Sequence, residues 1–223
     1  MDYAKYLQKL MDDSQLTIDE LAQILDLTVP AIKKILAGNV KNPSMQTIER
    51  LAEFNHVSPI EIVQRIFCVL PTEEDDLSEK AIKQINTSQR YLCYLYLNGY
   101  NVDFGAKFKS IDGTEVFFPG IATKKREPNN RILVDSITTR FLVDRKKDQI
   151  IYNTDLATLL APLMFINDIN EFKRVDIVVG DEIYELTYMI PLIEKLKLPF
   201  KFKLNIVVFD YISETIIQTI PLT

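Results

Sequence analysis

The residue types best suited to chemistry are two carboxylates and a lysine in the second half of the chain, at Asp135, Asp144 and Lys146. A divalent metal held between two carboxylates can activate water for attack on a phosphodiester, while a nearby lysine stabilises that water or the phosphate. Residues 144–148, however, are predicted to form the polar tip of a β-hairpin, whereas carboxylates that hold a metal should project from strands of a sheet. The pattern therefore favours a solvated turn over a metal site.

Other arrangements that support catalysis or metal binding are missing from the sequence. The single histidine, His56, falls in a short predicted connection between helices and is not expected to act as a catalytic base, and the six glycines form no phosphate-binding loop. Cys68 and Cys93 with that one histidine cannot supply the clustered ligands of a zinc site, and their apolar neighbours indicate buried, reduced thiols. We expect no enzymatic activity, no cofactor and no metal.

A second group of polar residues lies in the segment 16–38, whose pattern predicts two short helices joined by a tight turn. Thr17 and Glu20 form a capping box at the start of the first helix. Thr28 and Pro30 suit the N-cap and the first turn of the second helix, and a glycine stops that helix. The spacing is that of a helix-turn-helix.

Three further helices are predicted around this motif, over about residues 2–12, 44–54 and 58–67. The last of them has an N-cap serine and a first-turn proline at Ser58 and Pro59. Five helices in about the first third of the chain, with a helix-turn-helix at the second and third, resemble the DNA-binding domain of the Cro and lambda-repressor type of transcriptional regulator, the XRE family.

This resemblance implies that the third helix, about Val29 to Ala37, enters the major groove of DNA. Contacts to phosphates position such a protein, whereas contacts to base edges specify the sequence. On the family's pattern Val29, Pro30 and Lys33 face base edges, Lys34 lies toward base or backbone, and Thr17, Thr28, Asn39, Lys41 and Asn42 contact phosphates.

Two features of this segment depart from the family's usual pattern. Val29, Pro30 and Ala31 can touch thymine methyl groups but cannot form bidentate hydrogen bonds to bases, so direct readout rests on Lys33. Residues 1–68 also hold five lysines and two arginines against five aspartates and four glutamates, a net charge of −2. Such a domain should bind DNA weakly as a monomer and depend on dimerisation. A domain that serves protein contacts only is the alternative, which we rank second because the lysines cluster on the surface expected to face DNA.

The rest of the chain is predicted to form a separate domain. An acidic linker, 71–77, divides the helical head, 1–70, from residues 78–223. A helix ending near residue 97 opens the second domain, and its length suits a dimer contact. Alternating residues and turn signals then predict hairpins, including a tight turn at Asp112-Gly113. The predicted elements are strands at 102–111, 114–118, 131–143, 149–152, 175–179, 200–209 and 214–221, and helices at 154–163 and 182–196.

These elements indicate an α+β domain with an antiparallel or mixed sheet, and an α+β chain overall. Two basic clusters, Lys124-Lys125-Arg126 and Arg145-Lys146-Lys147, fall in predicted loops. They could bind an anion or a nucleic-acid backbone, but their acidic neighbours favour ordinary solvated loops. Four tyrosines at helical spacing could stack on bases, but leucines beside them favour core and interface positions: Tyr91, Tyr94, Tyr96 and Tyr100.

Composition limits the remaining possibilities. The chain has 223 residues, 47% of them apolar, which is enough to bury a core. No apolar run approaches the roughly 18 residues of a membrane span, and the first residues do not resemble a signal peptide, so we expect a cytoplasmic protein without membrane contact.

The sequence thus predicts a DNA-binding transcriptional regulator: a dimeric repressor of an operator in double-stranded DNA, whose second domain mediates dimerisation and senses a protein or small-molecule effector. Two alternatives remain. The first is an autoregulating antitoxin or phage-type inhibitor whose second domain binds a protein partner. The second is a metal-dependent nuclease fused to a DNA-targeting head.

Overall fold

The chain divides into two compact units, 1–70 and 71–223. The computed structural model describes residues 2–68, 79–109, 113, 115–136, 163, 169–180 and 200–222. Several predicted features lie outside these residues: the acidic linker 71–77, the turn at 144–148 with the cluster 145–147, strand 149–152, most of the helix at 154–163 and the helix at 182–196.

The first unit is helical, as predicted. Each of its helices begins at a polar N-cap whose side chain accepts a hydrogen bond from the backbone N–H three residues later. Because such caps are local, they fix where each helix starts. The five helices are α1 (Tyr3–Ser14), α2 (Ile18–Ile24), α3 (Val29–Leu36), α4 (Met45–Asn55) and α5 (Pro59–Phe67).

The core of this unit is formed by apolar residues at helical spacing. α1 packs against α3 and α5, α2 against α3 and α4, and α4 against α5. These contacts bury one face of every helix and leave the polar face in water. The largest fully buried side chains of the unit are Tyr3, Leu7, Leu21, Leu25, Ile32, Ile48, Leu51, Ile62 and Ile66.

The described part of the second unit consists of a long helix, α6 (Glu79–Leu97), and a mixed sheet whose six strands lie side by side in chain order. The first three strands form an antiparallel meander, the third and fourth and the fourth and fifth pair in parallel, and the last two form a hairpin. The predicted α+β class with a mixed sheet is confirmed. The strands are β1 (Tyr100–Lys109), β2 (Glu115–Lys124), β3 (Glu127–Ser136), β4 (Arg174–Val179), β5 (Lys203–Asp210) and β6 (Thr215–Pro221).

The two faces of this sheet are covered differently. One carries an apolar core that includes Leu133, Val175 and Ile206. The other packs against α6, which contacts β1 to β5. Since Tyr91 to Cys93 and Leu95 of α6 are buried, the apolar side chains on this part of the helix are used by its own sheet. We had expected a dimer contact on this helix, and these side chains are not available for one.

β2 is longer than the sequence pattern predicted because Pro119 and Gly120, which usually interrupt strands, lie inside it. A Cβ built on Gly120 would lie 2.5 Å from the backbone oxygen of Asp103 and 3.0 Å from Cδ1 of Leu92. Glycine is therefore required here by the close approach of β1 and α6. The predicted turn at Asp112-Gly113 lies largely outside the described residues, and within it only Gly113 is described, with a φ of +87°.

Replacing Gly120 by alanine is expected to lower the free energy of unfolding of the second unit by about 1–3 kcal/mol, because the added methyl group must displace backbone. Chemical denaturation of the full chain followed by circular dichroism measures this. Thr123→Ala, on the same strand but half-exposed, is the control and should cost less. Equal stability of Gly120→Ala and the wild type would contradict the steric explanation.

Candidate nucleic-acid interface

The helix-turn-helix segment is held by its caps. Thr17 accepts a hydrogen bond from the N–H of Glu20, and Glu20 accepts one from the N–H of Thr17, so the predicted capping box is present. Thr28 caps α3 by accepting from the N–H of Ala31. Asp26 adopts the left-handed conformation, with φ of +53°, in the turn between the helices. The caps and this turn set the direction in which α3 leaves α2.

α3 has one buried face and one exposed face. Ile32 and Ile35 are buried against the rest of the head, whereas Pro30, Lys33 and Lys34 are exposed. Val29 and Ala31 are half-buried at the start of the helix. The exposed surface of α3 therefore combines a short apolar beginning with two cations in its last turn.

The loop that follows α3 continues this surface. Gly38 ends the helix with φ of +75°, in the left-handed region that favours glycine. Asn39, Lys41 and Asn42, all predicted phosphate contacts, are exposed. The loop also exposes Val40, and Met45 is exposed at the start of α4. We had not predicted these two apolar residues as part of the surface, and nothing in their sequence spacing distinguishes them from core residues.

The basic residues of the head differ in whether a carboxylate neutralises them. Lys5 pairs with Asp2, Arg50 with Glu53 and Arg65 with Glu61, each three or four positions apart on a helix or its cap. Within the described residues, the exposed lysines of α3 and of the loop that follows it make no ion pair. Lys9, on α1, is the one other lysine of the head that makes none there. The unneutralised lysines of the α3 surface are Lys33, Lys34 and Lys41.

A negative charge lies at the opposite end of the motif. The carboxylate of Glu20 accepts the backbone N–H of Thr17 at 2.8 Å and its hydroxyl at 2.7 Å. These two bonds hold the pKa of the Glu20 carboxyl below its usual value, so the group is ionised at neutral pH. Both donors of Thr17, a predicted phosphate contact, are thus already occupied by an anion.

Glu20→Gln is expected to tighten DNA binding by on the order of threefold at low salt, because repulsion between exposed charges is screened as salt rises. The amide oxygen of glutamine can still accept from Thr17, so the cap is retained. Fluorescence anisotropy with a DNA duplex at two salt concentrations measures the change. Asp13→Asn removes the same charge from the exposed end of α1 and should have less effect. Weaker binding by Glu20→Gln would show that the carboxylate assists the interface.

These features define a DNA-binding helix-turn-helix domain. Residues 6–67 match the family model of the Cro/C1-type HTH DNA-binding domain, which confirms the predicted resemblance for the N-terminal third, and the chain is accordingly a DNA-binding regulator. No curated protein matches the chain, and no solved structure matches it. None of the helices in the described part of the chain combines the length and hydrophobicity of a membrane span.

The second unit contains a buried polar cluster that the sequence analysis missed. The carboxylate of Asp176 accepts hydrogen bonds from the hydroxyl of Tyr91 at 2.7 Å and from Nδ2 of Asn205 at 3.0 Å. Nη2 of Arg174 lies 2.9 Å from the same carboxylate. Burial, and secondly the nearby Asp176 charge, raise the pKa of Tyr91, so the phenol remains a hydrogen-bond donor. In the sequence, the one indication of this cluster is a single aspartate inside an apolar strand.

The residues considered for metal chemistry or anion binding do not form a site in the described ranges. Asp135 is buried in β3, whereas Asp144 and Lys146 fall outside those ranges. Among the described residues no three histidine, cysteine or acidic side chains come together as a candidate metal site. Lys124 pairs with Glu127 at 2.7 Å, and this carboxylate holds the pKa of the lysine above its usual value. Cys68 and Cys93 are buried, as predicted.

Proposed function

We propose that this protein is a sequence-specific transcriptional repressor that binds operator DNA as a homodimer and inserts α3 into the major groove. The observation that carries the proposal is the distribution of cations in the head. In the described part of the head, three lysines on α3 and the loop after it make no ion pair, whereas both arginines are paired with carboxylates. Unpaired lysines can neutralise phosphates without first losing a protein partner.

Within this interface we assign different tasks to different residues. Lys33 donates to base acceptors, and Val29 and Pro30 contact thymine methyl groups. Lys34 contacts a base or the backbone. The phosphate contacts are Thr28, Asn39, Lys41 and Asn42, with Thr17 contributing least because its hydroxyl and N–H are bonded to Glu20.

The acidic balance of the head is the reason for proposing a dimer. A head with a net charge of −2 and three lysines on its DNA-facing surface should bind a half-site weakly, and a second head on the same DNA doubles the number of phosphates neutralised. We infer that the second unit holds the two heads together and responds to an effector. Repression is then steric, because the bound dimer blocks access to the promoter.

Selection of binding sites from a randomised DNA library with the full chain tests this function. We expect palindromic sites whose half-sites are about 10 base pairs apart, or a multiple of that spacing, with two chains per site. Failure to enrich any sequence, together with salt-independent retention of DNA, would overturn the proposal. A protein that co-purifies in stable stoichiometry with the second unit would favour the inhibitor or antitoxin alternative instead.

The nuclease alternative has one observation in its favour, namely that Asp135 lies in a strand, where a metal-binding carboxylate belongs. We nevertheless propose that the second unit regulates and does not cleave. Plasmid DNA incubated with the full chain and Mg²⁺ or Mn²⁺ should remain intact. Metal-dependent cleavage that is lost in Asp135→Ala would establish the nuclease.

A further inference from the structure

The two edges of the described sheet differ in how they are protected. β1 forms one edge and β6 the other, and no strand in the described part of the chain pairs with the outer side of β6. An edge strand presents unpaired N–H and C=O groups that can bind another strand. Natural proteins usually discourage this with charged side chains, proline or irregular backbone.

β1 has such protection. It exposes Asp103, Lys107 and Lys109, and Gly105 interrupts its regular pairing with a φ of +75°. Another strand that approached this edge would have to accommodate three charges and a local distortion. We therefore expect β1 to remain an edge in solution.

β6 has no charged residue between Thr215 and Pro221. All its residues except Ile220 are exposed, and Ile217 retains 66% of its surface. Ile212, in the turn before the strand, is 90% exposed. Two features shorten the part of β6 that can pair with another strand. One is a register shift opposite Val208 and Phe209, and the other is the missing N–H of Pro221. The segment available for regular pairing therefore lies around Thr219.

Two hydrogen bonds give the direction of the backbone groups in this segment. The N–H of Lys203 donates to Lys173, and the N–H of Leu222 donates to Leu204. Because bonding alternates along a strand, odd-numbered residues of β5 bond toward β4 and even-numbered ones toward β6. Thr219 pairs with the odd-numbered Val207, so its N–H and C=O point away from β5 toward the open edge.

We propose that the open edge of β6 pairs antiparallel with β6 of a second copy of this chain, so that the two sheets continue across a two-fold axis. An isologous contact brings the same strand from both copies together in opposite directions, as an antiparallel pair requires. The absence of charge means that the two copies do not repel. We propose a second copy of the chain as the partner of β6 because the repressor proposed above needs to be a dimer. The inference therefore rests in part on that function.

Thr219→Pro tests this pairing, because it removes the outward N–H and leaves the bonds from β6 to β5 in place. Thr219→Ala keeps the N–H and is the matched control. Light scattering of the full chain over a wide concentration range should show that the wild type and Thr219→Ala are dimeric. The dimer dissociation constant of Thr219→Pro should rise about 100-fold, at roughly tenfold for each of the two bonds lost across the axis.

Ile217→Lys supplies an independent variant if the proline disturbs the strand. Its side chain is largely exposed, so a lysine should not affect folding, and a charge on the edge strand should discourage pairing and also raise the dissociation constant. Circular dichroism checks that the variants remain folded. A wild type that stays monomeric overturns the inference, and so does a folded dimer that neither variant weakens.

The same variants separate this inference from the proposed function. A monomeric variant should still bind a DNA fragment containing one half-site with wild-type affinity, because its head is unchanged. Dimers that persist in both variants would exclude β6 and leave a dimeric repressor intact. A wild type that binds no selected DNA would instead remove the proposed function, while the light-scattering result would still decide the β6 contact.

Discussion

Replacing Lys33 and Lys34 together by alanine is expected to weaken operator binding by at least about 100-fold and to leave the head folded. Of the three residues assigned to base edges, Lys33 is the one that can hydrogen bond to bases, and losing a good base contact costs about 1–3 kcal/mol in each half-site. Lys34 adds a base or backbone contact. Neither side chain makes an ion pair in the described part of the head, and both are exposed, so thermal unfolding should change little.

Fluorescence anisotropy with the selected operator, at several salt concentrations, measures this effect. The magnitude of the slope of log affinity against log salt should fall by about one for each phosphate contact removed. Lys9→Ala is the matched control, because Lys9 is an exposed lysine on a different helix and makes no ion pair with any described residue. If Lys9→Ala weakened binding as much as the double variant, overall charge and not the α3 surface would govern binding.

The head could be predicted from sequence because its determinants are local. The Thr17–Glu20 box and the Ser58 cap act over three residues, and the ion pairs that neutralise Lys5, Arg50 and Arg65 join positions three or four apart. The exposure of the α3 lysines also follows from helical periodicity. The contribution of Val40 and Met45 to the surface did not follow, because it depends on how the loop after α3 is packed.

The second unit was harder to predict because its determinants are distant in the chain. β3 and β4 pair in parallel across residues 137–173, and a parallel pair has no turn signature between its strands. Pro119 and Gly120 indicated a break in β2, although the glycine is required by contacts with β1 and α6. Tyr91 and Asn205 bind Asp176 from 85 and 29 residues away, so the cluster becomes apparent only in the fold.

Asp176→Ala is expected to destabilise the second unit by about 3 kcal/mol, the lower end of the usual cost of removing one partner from a buried ion pair, because Arg174 remains partly exposed to water. Asp176 has no exposed surface. Its carboxylate accepts hydrogen bonds from Tyr91 and Asn205 and forms an ion pair with Arg174. Alanine would leave the buried donors of Tyr91 and Asn205 without their acceptor, together with the partly exposed guanidinium of Arg174. This loss is comparable to a large part of the stability of an ordinary domain.

Chemical denaturation of the full chain, followed by circular dichroism and tyrosine fluorescence, measures the loss. Tyr91→Phe removes one neutral donor and keeps the carboxylate, so it should cost only about 1 kcal/mol, and Asp176→Asn, which keeps one acceptor oxygen, should fall between the two variants. This order of stabilities would show that the loss comes from the missing carboxylate charge and not from the smaller volume of the alanine side chain. Equal effects of Asp176→Ala and Tyr91→Phe would mean that the phenol hydrogen bond, and not the ion pair, holds α6 to β4.

The same cluster predicts how stability depends on alkaline pH. The pKa of Tyr91 is raised in the folded protein, chiefly by burial and then by Asp176, so the phenol binds its proton more tightly folded than unfolded. The stabilisation that the protonated phenol contributes is fully present below the pKa of tyrosine in the unfolded chain, about 10, and is lost as the pH rises beyond that value. The wild type should therefore lose stability above about pH 10 more steeply than Tyr91→Phe. If the free energy of unfolding of the two proteins depended on pH in the same way, the Tyr91 phenol would not be buried and hydrogen bonded to Asp176 as the structure shows.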